Sequence, residues 1–160
     1  MYICEKYVIM AHISHSLSID EFIKILHEKR LKATAQRLAV HKAMSELGHA
    51  CAETVYEHIK SGGDDISAAS VYNTLSQLAE FGIYKRRLSA DNKMYFDSNT
   101  SSHMHLYDVY NNTFRDIADD ELLAAVEASV KKRRYRGYKI DKVSIEIICH
   151  PSHRKTPNSF

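Results

Sequence analysis

An α+β chain is what this sequence predicts, on three observations. Three amphipathic helical segments succeed one another through the first half, and two extended runs joined by an Asn- and Asp-bearing turn come directly after them. The second half then reads strand, strand, helix, strand. Three helices followed by a hairpin is the order of a winged helix-turn-helix. The rest predicts a small α/β domain, whose short sheet needs a second copy to cover its edge and apolar face.

The first helical segment runs from Thr34 to Leu47, with Thr34 as its cap and Val40, Met44 and Leu47 facing inward. A shorter one runs from about Ala52 to Ile59 and stops at Gly62-Gly63. The third extends from Ser67 to Gly82. Ser67 is placed to accept from a free first-turn amide, and Gly82 falls where a left-handed residue ends a helix. Val71, Leu75 and Leu78 lie on one stripe and predict core. Ser70, Asn73 and Gln77 lie away from it, with Tyr72 at its border. Taken alone this is an ordinary amphipathic helix with a solvated face. As the last helix before a hairpin, its polar groups are placed to enter a major groove. The hairpin comprises Ile83–Leu88 and Lys93–Phe96 around Ser89-Ala90-Asp91-Asn92, and its Lys85, Arg86 and Arg87 can meet phosphates.

In the second half, Met104–Tyr110 and Thr113–Ile117 read as strands around Asn111-Asn112. Asp119 to about Tyr135 reads as a helix with Leu122, Leu123, Val126 and Val130 inward. Lys131-Lys132-Arg133-Arg134 closes that helix opposite Asp119-Asp120-Glu121, so both ends complement the macrodipole, and a DNA patch is the weaker reading. Val143, Ile145, Ile147 and Cys149 alternate with Ser144, Glu146 and Ile148 in a closing strand. The expected organisation is a loose extension over 1–17, a winged-helix domain over 18–97, an α+β dimerisation and metal-sensing domain over 98–150, and a flexible tail over 151–160. Met10 is an alternative start to Met1.

With 160 residues the chain suffices for one domain or two small ones, and a net charge of +2 announces no nucleic-acid partner by itself, so any basic footprint must be local. Three scattered cysteines without paired spacing argue against a disulfide framework and fit a reducing cytoplasm. No apolar run is long enough to span a bilayer, and Met1–Ala11, interrupted by Glu5 and Lys6, lacks the basic region of a signal peptide.

Asp97, His103-Met104-His105 and Asp116 form the one cluster with coordination chemistry. Two histidines two apart on a strand project to the same side, as chelating imidazoles must, and the aspartates add hard oxygen donors. Such a nitrogen and carboxylate set without thiolate suits Fe²⁺, Mn²⁺ or Zn²⁺ rather than Cu(I). A lone His-x-His pair is also common on exposed strands that bind nothing. Two histidines and a carboxylate can equally make the facial triad of a non-haem iron oxygenase. Against an enzyme, the chain carries no recognisable cofactor motif and commits its first half to a DNA-binding pattern.

Three blocks, Leu31-Lys32-Ala33-Thr34-Ala35-Gln36-Arg37-Leu38, Ala69-Ser70-Val71-Tyr72-Asn73-Thr74-Leu75 and the Asp/His cluster, resemble the ferric uptake regulator family and fall in its order. The resemblance extends from about Ser18 to Cys149. Tyr95 to His105 is most similar to the iron response regulator branch, with the peroxide regulator branch next. It implies a homodimeric, metal-responsive transcription regulator, a repressor of iron-homeostasis or oxidative-stress genes, bound to palindromic double-stranded DNA. Lys32 would enter the minor groove, and Tyr72 and its neighbours the major groove. With Thr34 and Arg37 of the first block, the candidate DNA-binding set is Lys32, Thr34, Arg37, Ser70, Tyr72, Asn73, Gln77, Lys85 and Arg86. The resemblance adds His49 to Asp97, His103, His105 and Asp116 as ligands of one regulatory cation, Fe²⁺ or Mn²⁺ with Zn²⁺ as a substitute. Such an ion would fix the angle between the domains and so gate DNA affinity.

The departures from the family are specific. Where many relatives hold a structural zinc with two Cys-x-x-Cys pairs, this chain has Asp108 and Asn111, then Cys149 and Ser152, so no structural zinc is expected. Ser102, Met104 and Val143 occupy the places of a second histidine-rich site. Cys51 replaces the usual Ser or Thr cap of the helix that begins at Ala52. Iron response regulators commonly carry a third histidine where Met104 stands. That substitution counts against haem, as does the lack of a Cys-Pro dipeptide, and haem is the alternative cofactor only, in a regulator that binds DNA without a corepressor metal. His150 and His153 are further candidate metal ligands on what reads as a solvated tail.

Overall fold

A computed structural model describes residues 17–99 and 101–151. The expected N-terminal extension up to residue 16, the alternative start at Met10, and Ser152 and His153 of the tail lie outside the described residues. The chain divides into two units, with the division between Ser101 and Ser102.

The first unit contains α1 (Ile19–Glu28), α2 (Ala35–Leu47), β1 (His49–Cys51), α3 (Ala52–Ser61), α4 (Ala68–Glu80), β2 (Lys85–Leu88) and β3 (Met94–Asp97). Helix α1 precedes those expected. Its signal is a full capping box, in which the Ser18 hydroxyl accepts from the Glu21 amide at 3.3 Å and the Glu21 carboxylate accepts from the Ser18 amide at 2.9 Å. Thr34 and Ser67 cap α2 and α4 through their side chains, as expected, whereas Cys51 makes no side-chain cap bond to the backbone of α3. Gly48 and Gly82, both at φ +71°, take the left-handed turns that end α2 and α4.

The core of this unit draws Phe22 and Leu26 from α1, Val40 and Met44 from α2, Val55 and Ile59 from α3, and Val71, Leu75 and Leu78 from α4. Ile83, Tyr84 and Phe96 close it from the hairpin side. Burial of each large side chain contributes about 1.5–3 kcal/mol. The sheet has the order β1-β3-β2, both pairs antiparallel, so β3 is central and the hairpin of β2 and β3 gains β1 as a third strand. In the turn, Asn92 is left-handed at φ +60° and Ser89 closes onto Lys93 and Asp91.

His41 is a fully buried polar group within this core. Its Nε2–H donates to the Leu17 carbonyl (2.8 Å), which can only accept, so Nδ1 of the neutral ring accepts from the Tyr84 hydroxyl (2.9 Å). The ring stacks on Phe22 at 3.9 Å. Desolvation pushes the imidazole below its ordinary range, against the opposing pull of the Leu17 carbonyl. The folded unit therefore holds His41 neutral where an unfolded chain would take up a proton. The stability this contributes is present above the ordinary histidine pKa and is lost as pH falls toward the depressed folded value. Thermal melts should show a lower midpoint below about pH 6.5. His41→Leu should be less stable at neutral pH yet show a shallower acid loss. An acid slope equal to that of the wild type would rule His41 out as its source.

The second unit contains β4 (Met104–Asp108), β5 (Thr113–Ile117), α5 (Asp120–Lys131) and β6 (Glu146–Cys149). Its sheet has the order β5-β4-β6, with β4 antiparallel to β5 and parallel to β6. Met104, Tyr107, Phe114 and Leu123 are its buried apolar side chains, with the Tyr107 and Phe114 rings stacked at 4.3 Å. Asp119 caps α5 by accepting from the Leu122 amide at 2.9 Å. At the β4–β5 turn the Asp108 carboxylate accepts from the amides of Tyr110 (2.9 Å) and Asn111 (3.2 Å) and from the Asn111 side chain (2.7 Å). The Asn111 side chain, most of all, holds the Asp108 carboxyl below its usual range. The two residues at the zinc-ligand positions thus close the turn by hydrogen bonds of their own, and Asp108 stands in register with Cys149 on β6.

Three expectations need correction. Helix α5 ends at Lys131 rather than near Tyr135, where Lys131 and Arg134, a turn apart, would repel in a longer helix. Leu122 is 41% exposed, so of the four residues expected inward only Leu123 is buried, with Val126 and Val130 partly so. The closing strand covers Glu146–Cys149 alone, and both Ile147 and Ile148 are exposed because β6 is an edge strand. Among the described residues no helix is long and apolar enough to cross a membrane.

Candidate metal centre and nucleic-acid interface

In the second unit, His105 and Asp116 face each other in register across β4 and β5, and His103 precedes β4 by one residue. The period of the strand sends His103 and His105 to one side. Met104 between them is fully buried. The two Nε2 atoms stand 2.7 Å apart, and Asp116 Oδ1 lies 3.3 Å from His103 Nε2 and 3.7 Å from His105 Nε2. Adjacent donors bound at about 2.1 Å around one ion stand about 3 Å apart, so these three atoms have the spacing of a facial set. All three side chains are largely shielded from water, His105 at 1% exposure. The donor chemistry, two imidazoles and one carboxylate, fits Fe²⁺, Mn²⁺ or Zn²⁺.

In the first unit, β1 brings His49 into register with Asp97 at the end of β3, with His49 Nε2 3.7 Å from Asp97 Oδ1. Asp97 is 1% exposed and accepts from the Asn99 amide at 2.8 Å. Asn99 in turn accepts from the Ser101 amide and hydroxyl, at 3.1 and 2.6 Å. Asn99 supports Asp97 and was not singled out from the sequence, where an Asp-Ser-Asn run gives only a turn signal.

The candidate nucleic-acid residues also belong to the first unit. Lys32 and Thr34 are exposed, Thr34 with its hydroxyl already accepting from the Arg37 amide at 3.3 Å. On α4, Tyr72 is 53% exposed and Asn73 is exposed, whereas Ser70 and Gln77 are half-buried. Ser70 is held by Ser67, whose hydroxyl both caps it and meets its side chain. Two cations offered to phosphates are engaged within the chain. Lys85 Nζ donates to the Ser101 carbonyl (2.9 Å), and Arg86 donates to the Ser76 carbonyl (2.7 Å) and lies 3.4 Å from Glu80. Gln36 was missed. Its amide donates to the Ser70 carbonyl (2.9 Å) and Thr74 hydroxyl (3.0 Å), fixing α2 against α4. Cys51 and Cys149 are free thiols, and His150 is exposed.

An α+β chain in two units, one with an amphipathic helix that exposes Tyr72 and Asn73 beside a hairpin and one with an imidazole–carboxylate triad, has well-defined counterparts. Residues 28–148 match the ferric uptake regulator family, and the chain belongs to that family. The peroxide-responsive repressors PerR of Staphylococcus aureus and Staphylococcus epidermidis are each 32% identical over 95 residues, 59% of this chain. Those residues span 63% and 62% of the two relatives, so the chain covers less than two thirds of their length. Among solved structures, the Vibrio cholerae ferric uptake regulator superposes with a TM-score of 0.66 at 23% identity, over 81% of this chain and 99% of that one. The Pseudomonas aeruginosa ferric uptake regulator with manganese gives 0.66 at 22% identity, over 81% and 97%. The Campylobacter jejuni peroxide stress regulator gives 0.61 at 27% identity, over 85% and 99%. The family is one of regulators, not of enzymes, which sets the oxygenase reading aside.

Proposed function

We propose that this chain is a homodimeric, divalent-metal-responsive transcription regulator, a repressor of iron or peroxide-stress genes, with 18–97 as a winged-helix DNA-binding domain and 98–150 as a dimerisation and sensing domain. The observation that carries the reading is the His103, His105 and Asp116 triad, three shielded N and O donors at ligand spacing in a member of a regulator family. The Pseudomonas aeruginosa structure, with manganese, supports Mn²⁺ as the ion, and the nitrogen and oxygen donor set suits Fe²⁺ as well. His49 and Asp97 enter the ligand set on the family resemblance, and one cation sharing ligands from both domains would bias their arrangement. When bound, the ion supplies positive charge and fixed coordination angles. The protein supplies the strand register that aims the donors. The exposed Leu122, Ile147 and Ile148, on a helix and an edge strand, support a second copy as the cover of the sensing domain.

For the DNA face, Lys32, Tyr72 and Asn73 are the exposed members of the candidate set that make the strongest case. Lys32→Ala should weaken binding to all duplexes alike and lower the salt slope by about one unit. Tyr72→Ala or Asn73→Ala should instead erode discrimination between sites, by roughly 1–3 kcal/mol for a good base contact. Fluorescence anisotropy at several salt concentrations separates the two effects. Unchanged affinity and salt slope in all three variants would remove α4 and Lys32 from the interface.

A further inference from the structure

The first turn of α2 is tied to α4 by two side chains, at its buried Thr74 and its half-buried Ser70 and Gln77. Gln36 donates both amide hydrogens to Ser70 and Thr74. Arg37 donates through Nη1 to the Lys32 carbonyl (2.5 Å) and through Nη2 to Gln77 Oε1 (2.6 Å). A guanidinium has no acceptor, so the Gln77 atom that meets it must be the oxygen, and the amide orientation is fixed by chemistry. Gln77 lies one helical turn beyond Asn73, and both line a groove of about 460 Å³ between α2 and α4, with Thr34, Arg37, Ser76 and Glu80. The Gln77 amide nitrogen makes no hydrogen bond to another described residue.

An unconstrained glutamine reads adenine with both ends of its amide, accepting from N6 and donating to N7. Gln77 cannot do so on equal terms. Its oxygen is already taken in a charge-assisted bond, and a second donor brought to that oxygen would meet the positive charge of Arg37. The same cation polarises the amide and strengthens its N–H groups as donors. We infer that Arg37 is a positioning residue that turns Gln77 into a donor-only reader, selecting the acceptor edges of guanine (O6, N7) or thymine (O4) over adenine in the major groove. The inference rests on the reading of α4 as the DNA-facing helix.

The test is selection from a randomised duplex library by the full-length protein in Mn²⁺, followed by sequencing, for wild type, Gln77→Glu and Arg37→Met. Circular dichroism melts confirm that each variant is folded. Gln77→Glu keeps the bond to Arg37 but replaces the outward N–H groups with an acceptor. At the position where it changes the preference, wild type should favour guanine or thymine over adenine by about tenfold. Gln77→Glu should shift that position toward cytosine or adenine, which offer N4–H and N6–H. Arg37→Met should admit adenine at the same position while the rest of the motif persists. An enriched motif that is unchanged in both variants, or one in which wild type prefers adenine there, would overturn the inference alone. No enrichment by wild type would overturn the DNA-binding reading itself, and this inference with it.

Discussion

His103→Ala and Asp116→Ala are each expected to abolish metal dependence while leaving the fold intact. The triad atoms lie within 3.7 Å of one another, so each residue removed deletes one of three donors at one point. Loss of a group that merely orients a ligand typically costs about 10–100-fold in affinity, and loss of a ligand should exceed that range. Mn²⁺ affinity by calorimetry should accordingly fall more than about 100-fold in both variants. Stability should change little, because neither side chain belongs to the apolar core of its unit. Met104→Leu is the control. It is fully buried and adjacent in sequence, and its replacement should cost packing without touching metal affinity. Retained Mn²⁺ affinity in either alanine variant would refute the triad as the site.

Phe22→Ala is expected to produce the largest loss of stability, about 3–5 kcal/mol. Phe22 is fully buried, fills the space between α1 and α2, and stacks on His41 at 3.9 Å. Its removal leaves a cavity and also exposes a polar ring that depends on Leu17 and Tyr84 for its hydrogen bonds. Urea denaturation should show the transition of the first unit displaced to lower concentration. A displacement of less than about 1 kcal/mol would mean that α1 is not the structural cover of this core.

Local chemistry was the legible part of the fold. Thr34, Ser67 and Asp119 cap helices through bonds to amides three residues ahead, and that signal is complete within four residues of sequence. The Val71, Leu75 and Leu78 stripe is fully buried for the same reason, since helical period alone defines it. Helix α1 carries an equally local signal in Ser18, Glu21 and Phe22, yet it was not among the expected helices, because it lies ahead of the three-helix pattern. Strand β1 was not legible, because three residues, His49–Cys51, are too few to show alternation. The same logic divides the site. That His103 and His105 share a side follows from a period of two, whereas the facing of His105 and Asp116, or of His49 and Asp97, depends on strand register. The engagement of Arg37, Lys85 and Arg86 within the chain could not be read from charge at all, since a sequence shows a cation but not the carbonyl that it meets. Leu122 and Ile148 were expected inward or alternating and are exposed, Ile148 on an edge strand, because periodicity names a face but not what covers it.

The most direct measurement is the affinity of the wild-type protein for a duplex selected from a random library, by fluorescence anisotropy, in Mn²⁺ and again in excess chelator. Coupling between two sites of this kind typically amounts to about 5–150-fold, and metal gating predicts tighter DNA binding with Mn²⁺ within that range. By linkage, the same duplex must tighten Mn²⁺ binding by the same factor. Equal DNA affinity with metal and with chelator would contradict metal gating outright.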